Sequence, residues 1–158
     1  MAADGTVDID RLSSLLEHDY FDRKPPKSLD RNEFAATTLA ELSPVDGAAT
    51  LTAFTAAAVA RSREHLPAPP KRWLVGGGGR HNATLMAALA VRLEAPVAPV
   101  EAVGWQGDAL EAQAFGFLAV RSRRDLPLSL PGTTGVPRPM PGGRLYAAPS
   151  ATPAGDRP

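Results

Sequence analysis

The chain has 158 residues, 44% of them hydrophobic and 22% charged, and a formal net charge of +0. This balance allows one core-forming domain and gives no overall attraction to nucleic acid or to an anionic membrane. There is no cysteine, which excludes disulfides, thiolate metal sites and cysteine nucleophiles and accords with a reducing cytoplasm. No apolar run reaches the roughly 18 residues of a membrane helix, and the acidic residues 1–10 carry no signal-peptide pattern.

In residues 8–18, Ile9, Leu12, Leu15 and Leu16 recur at helical spacing, and Asp8 is placed to cap the helix. A rigid polar turn follows over 23–31, then a short helix over 32–42. A longer helix is expected over 46–65, with Leu51, Phe54, Ala58 and Arg61 on one face. Residues 71–75 form a short apolar strand that stops at four glycines, 76–79. Residues 82–94 read as a helix with a Leu85, Leu89 and Leu93 stripe and Met86 beside it. A strand over 95–100 is confined to a sheet edge by Pro96 and Pro99. A helix over 108–123 is expected to bury Leu110, Ala114, Phe117 and Leu118. The remainder is rich in proline, with one short strand expected at 144–147. Strands alternate with helices, so the fold class is α/β, helix-rich, with a small mixed sheet. A sheet this thin suggests a part of something larger.

The most informative segment is Trp73-Leu74-Val75-Gly76-Gly77-Gly78-Gly79-Arg80-His81-Asn82, a strand, a glycine turn and a helix start. Glycines let backbone approach a ligand closely, and the first N–H groups of a helix favour an anion or a nucleotide's polar edge. No Gly-Lys-Ser/Thr ends the loop, so it is no Walker A motif, and His81 stands where the dinucleotide fingerprint has its third glycine. A tight turn without a ligand is the plain alternative.

Val75 to Met86, read Val-Gly-Gly-Gly-Gly-Arg-His-Asn-Ala-Thr-Leu-Met, resembles the nucleotide-side motif of the anhydro-N-acetylmuramic acid kinases. Gly77, Gly78, Gly79, His81, Asn82, Leu85 and Met86 match it, while Gly76 and Arg80 fall where that family varies. Three more segments resemble the family in the same order. They are Pro25-Pro26-Lys27-Ser28 with Arg31 and Phe34, Gly107-Asp108-Ala109-Leu110-Glu111-Ala112-Gln113-Ala114-Phe115, and the Leu126-Pro127 to Thr134-Gly135 tail. The resemblance extends over residues 5–147. It implies the C-terminal lobe of a sugar kinase/Hsp70/actin-like (ribonuclease H-like) fold over 1–148, with 149–158 a disordered tail.

The implied reaction joins ATP, with Mg²⁺, to water and 1,6-anhydro-N-acetylmuramic acid. It opens the anhydro ring and yields N-acetylmuramic acid 6-phosphate for peptidoglycan recycling in the cytoplasm. The resemblance implies contacts to ATP from Gly77, Gly78, Gly79 and Asn82, and a sugar-side catalytic role for Glu111. It implies no metal ligand in this chain. The family's Gly-Thr-Ser-x-Asp-Gly phosphate loop, its Asp-Thr-Gly-Pro-Gly-Asn segment and the aspartate that activates water between them have no match here. The expected partners are therefore a small-molecule sugar and a missing N-terminal lobe, in cis or in trans, with a homodimer of the full kinase left open. The chain alone is expected to be inactive. A second reading is a non-catalytic remnant or a nucleotide-binding module. An adaptor with a proline-rich tail ranks last, because Pro137, Pro139 and Pro141 make no Pro-x-x-Pro array.

Each singled-out residue also has a plainer explanation. Asp108 and Glu111, three apart, have the form of a capping box. Asn82 is suited to cap its helix, His81 to a structural or exposed place, and Trp73 to core packing. Lys27 and Arg31 suit either a phosphate or a solvated basic turn. Arg121, Arg123 and Arg124 suit a helix C-terminus.

Overall fold

The structure, a computed structural model, describes residues 1–34 and 39–147. The first helix, α1 (Ile9–Leu16), starts where Asp8 accepts a hydrogen bond from the Arg11 N–H at 2.9 Å, and it buries Leu12 and Leu15. Ile9 stays exposed. The second, α2 (Pro44–Arg61), is the element on which α1, the N-terminal turn and the third helix all pack. It begins two residues earlier than expected, because Ser43 caps it with Pro44 in the first position. A 3₁₀ turn, Ser62–His65, continues it.

The buried face of α2 also differs from the expected one. Ala49, Thr50, Ala56 and Ala57 are buried, while Leu51 is 46% exposed. Small residues let neighbouring segments approach this helix closely. The Asp8 N–H donates to the buried Thr50 hydroxyl at 3.0 Å, and the Thr6 N–H donates to Asp46 Oδ1 at 2.7 Å. At the far end, Arg61 donates to the Leu16 carbonyl at 3.0 Å and lies over the Phe21 ring. Phe21, Phe34 and Phe54 meet edge-on or tilted with centroids 5.1–6.1 Å apart, within the range such pairs prefer.

The strands β1 (Trp73–Val75) and β2 (Val97–Pro99) pair in parallel, Trp73 opposite Val97, with α3 (Ala83–Arg92) crossing between them. Parallel neighbours need such a crossover. The core lies under this unit: Ala56, Leu89 and Leu93 are buried and surrounded by Val59, Trp73, Val75, Leu85, Met86 and Val97. Trp73 therefore packs in the core, its Nε1 buried without a partner among the described residues.

The C-terminal part departs most from expectation. Helix α4 (Leu110–Arg123) buries no residue: Leu110 and Leu118 are half-buried, and Ala114 and Phe117 are exposed. That face is only partly covered, Leu110 by Gly76 among others. The short α5 (Pro131–Thr134) follows. The expected strand at 144–147 is irregular. The sheet is wholly parallel rather than mixed, and the antiparallel Ser129–Met140 bridge stands apart from it. The expected helix over 32–42 includes residues 35–38, outside the described residues. Its flanks are a 3₁₀ turn, Arg31–Glu33, and a turn closed by Leu42 N–H to Leu39 O. Residues 149–158, expected to be a tail, also lie outside the described residues.

Leu93 is 2% exposed at the centre of the core. Leu93→Ala should lower unfolding stability by about 2–5 kcal/mol, the usual loss for such a truncation. Urea unfolding checks this, and a loss below about 1 kcal/mol would show that the core is centred elsewhere.

Candidate functional site

Both parallel strands end at the same edge, so the loop leaving β1 and the turn leaving β2 (Val100–Val103) lie side by side. In open parallel sheets this carboxyl edge is where ligands bind. Residues 76–79 are all exposed there. Gly77 has φ +69° and ψ −177°, a region essentially limited to glycine. Gly76 packs against Leu110, since a Cβ there would sit 3.3 Å from Leu110 Cδ1, and Gly79 packs equally closely on Leu85.

Gly78 differs from these three. A Cβ at 78 would meet nothing within 4 Å, and no positive φ requires glycine. The fold leaves this position free, and its bare backbone faces open space. The loop then turns through Gly78–His81 before α3 begins. Asn82 caps α3, its Oδ1 accepting from the Leu85 N–H at 3.1 Å, and the residue is exposed beside the loop.

Arg80 organises the surroundings, and its residue type alone did not mark it. Its side chain is 3% exposed. Nη1 donates to the Gly77 carbonyl at 2.8 Å, Nε to Glu101 Oε1 at 2.8 Å and Nη2 to Asp108 Oδ1 at 2.7 Å. The same Glu101 oxygen accepts the Gly107 N–H at 3.2 Å. Gly107 must lack a side chain, because a Cβ would come within 2.6 Å of Arg80 Cζ and of Glu101 Oε1. Asp108, then Glu101, hold the Arg80 proton more firmly than usual against the cost of burial. Arg80 in turn keeps the Asp108 carboxyl below its ordinary range. Glu101 is lowered first by its own N–H, then by Arg80 and the Gly107 N–H, against desolvation.

This network corrects the expected capping box. Asp108 faces Arg80, and α4 starts at Leu110 with Ala109 in the cap position and no side-chain cap. Glu111, in the first turn of α4, is exposed and has no hydrogen-bond or ion-pair partner among the described residues. It is therefore a free carboxylate three residues beyond the Arg80 anchor. His81 is exposed, its Nε2 3.7 Å from Asp108 Oδ1. Lys27 is engaged elsewhere, donating to the carbonyls of Tyr20 and Phe21 over the Tyr20 ring. The side chain of Arg31 lies outside the described residues. The guanidinium of Arg121 donates to the Pro127 carbonyl at 2.8 Å and so ties down the chain leaving α4.

A family model described as anhydro-N-acetylmuramic acid kinase matches residues 1–148. Among curated proteins of that name, the one from Rhodospirillum rubrum is 60% identical over 148 residues, covering 94% of this chain and 40% of the relative. The Acidiphilium cryptum protein is 62% identical, covering 92% and 41%, and the Paramagnetospirillum magneticum protein 58%, covering 92% and 42%. The chain thus spans about 40% of the length of the curated relatives it matches.

The lowered Asp108 carboxyl has a consequence for acid stability. A depressed carboxyl stabilises the fold above its unfolded value, about 4, and that contribution is lost as pH falls through the lower folded value. Asp108→Asn should therefore lower Tm at pH 7, and the gap from the parent should close by about pH 2. Melting curves across this range check it, and a gap that stays constant would show that Arg80 does not engage Asp108.

Proposed function

The chain belongs to the anhydro-N-acetylmuramic acid kinase family, and we propose that it supplies the nucleotide-contacting surface and a sugar-side carboxylate to an ATP-dependent kinase acting on 1,6-anhydro-N-acetylmuramic acid. The single observation that carries this reading is Gly78, a glycine that neither backbone conformation nor packing requires, in an exposed loop at the carboxyl edge of parallel strands. At this edge, a bare backbone that the fold does not need leaves room for a ligand to come close. The nucleotide or phosphate of ATP is that ligand, met by Gly77, Gly78 and Gly79, with Asn82 beside them.

The chemistry follows from substrate and product. A 1,6-anhydro bridge joins C1 to O6, and the product carries phosphate on O6. Water therefore adds to C1, the C1–O6 bond opens, and O6 receives the γ-phosphoryl group from ATP, whose bond to the β–γ bridging oxygen breaks to release ADP. One proton leaves the water in this sequence, which is work for a general base. The unpaired Glu111 carboxylate is suited to orient that water or to act at the ring oxygen. The family's aspartate base and phosphate loop come from sequence this chain does not contain, provided in cis or in trans. For Mg²⁺, no group of three metal-binding side chains gathers among the described residues, and Glu101 and Asp108 are bound to Arg80. Mg²⁺ in kinases is held largely by the nucleotide phosphates and water with one or two carboxylates, and this chain's proposed part is confined to backbone contacts and Glu111. Such a reaction belongs to the bacterial cytoplasm, where ATP is found.

Two substitutions in the kinase containing this chain test the reading. Gly78→Val has room in the fold, so Tm should hold while KM for ATP rises about tenfold or more, the loss of at least one close contact. An unchanged KM would leave the loop as a turn without a ligand. Glu111→Gln removes charge and proton acceptor from a side chain that makes no hydrogen bond or ion pair among the described residues. Stability should hold while kcat falls by roughly 10²-fold. If kcat stays within about threefold, Glu111 takes no part in proton transfer.

A further inference from the structure

Arg80 belongs to no element of the proposed chemistry, yet it joins the two segments that do. Its guanidinium reaches the carbonyl of Gly77 on one side and the carboxylate of Asp108 on the other, while Nε holds Glu101. Glu101 returns to the Gly107 N–H, so residues 77, 80, 101, 107 and 108 are fixed in one bonded unit. The partners come from three separate segments: the glycine loop, the turn after β2 and the approach to α4. A planar fork of five N–H donors can satisfy acceptors in these directions at once, and an ammonium on a flexible stem cannot do so with the same geometry.

The start of α4 depends on this link because little else holds it. The helix has no side-chain N-cap and buries no residue. Its contacts to the glycine loop are the Arg80–Asp108 pair, the longer 3.7 Å approach of His81 to the same carboxylate, and the packing of Leu110 against Gly76. Glu111 follows within the first turn. Its position relative to the loop is therefore set largely by one buried cation.

We propose that Arg80 is a positioning residue that couples the nucleotide loop to the Glu111-bearing start of α4, so that the ATP side and the sugar side of the site are held in register through it. This rests on the functional reading above. An Arg80 that served stability alone would change melting without changing how either substrate is used. A coupling Arg80 governs both sides together, since misplacing a reacting group by about 1 Å costs up to about 10²-fold in rate.

The test uses the kinase containing this chain, with Arg80→Lys as the main variant and Arg80→Met as a second. KM for ATP, KM for the anhydro sugar, kcat and amide hydrogen exchange are measured for each. Arg80→Lys keeps the positive charge, so it guards against loss of folding. It should raise KM for ATP and lower kcat, each by about tenfold or more. Exchange should quicken together in residues 76–79 and 108–112. Asp108→Asn combined with Arg80→Lys should be no worse than Arg80→Lys alone, because the lysine variant already breaks the link to Asp108. The proposal is overturned if Arg80→Lys lowers only Tm and leaves the kinetic constants within about threefold of the parent. It is equally overturned if exchange quickens in only one of the two segments. Gly78→Val separates the two failures. If that variant still raises KM for ATP, the nucleotide reading survives and only the coupling is lost; if it does not, the nucleotide reading fails as well.

Discussion

A buried guanidinium without acceptors is unaffordable to a fold, and Arg80 meets this constraint with three of them. Much of the site follows from that requirement. The Gly77 carbonyl is drawn inward, in a backbone conformation open to glycine. Gly107 must be bare to let the guanidinium and Glu101 close over it. Asp108 turns from its own helix toward Arg80, which leaves α4 uncapped and Glu111 unpaired. A single charge thus accounts for the shape of the glycine loop and for the freedom of the carboxylate proposed to act beyond it.

The rest of the chain provides a firm base for this edge. Small residues on α2 let α1 and α3 pack against it, and Leu89 and Leu93 seal α3 onto the βαβ unit. Because β1 and β2 run in parallel, their following loops emerge together, and Arg80 has only a short distance to bridge. The apolar core and the exposed loop are therefore separate in space. The core lies beneath the strands, and the exposed glycines lie at their carboxyl ends.

Helix α4 stands apart from that base. Phe115, Phe117 and Val120 are each more than half exposed, and Leu130, Leu145 and Tyr146 nearby are exposed as well. Its far end is tied by Arg121 to the Pro127 carbonyl at 2.8 Å and by Ser122 to the Gly142 carbonyl at 2.6 Å. Toward the glycine loop, the Arg80–Asp108 pair is the short charged link.

Where a side chain acts on backbone a few residues away, sequence was often enough, though the Ser43 cap of α2 was missed. Asp8 and Asn82 cap their helices at a spacing of three, and the two short strands flank a helix as their spacing implied. The glycine run was legible as an exposed turn between strand and helix for the same local reason. Tertiary structure decided which apolar faces are buried. Leu51 and Phe117 fit a helical stripe as well as Leu89 does, yet burial depends on what packs opposite, and periodicity carries no information about that. It also decided the fate of Asp108. Three residues before Glu111 it had the form of a cap, but Arg80, 28 positions away in sequence, offers a full positive charge where the helix end offers a partial one.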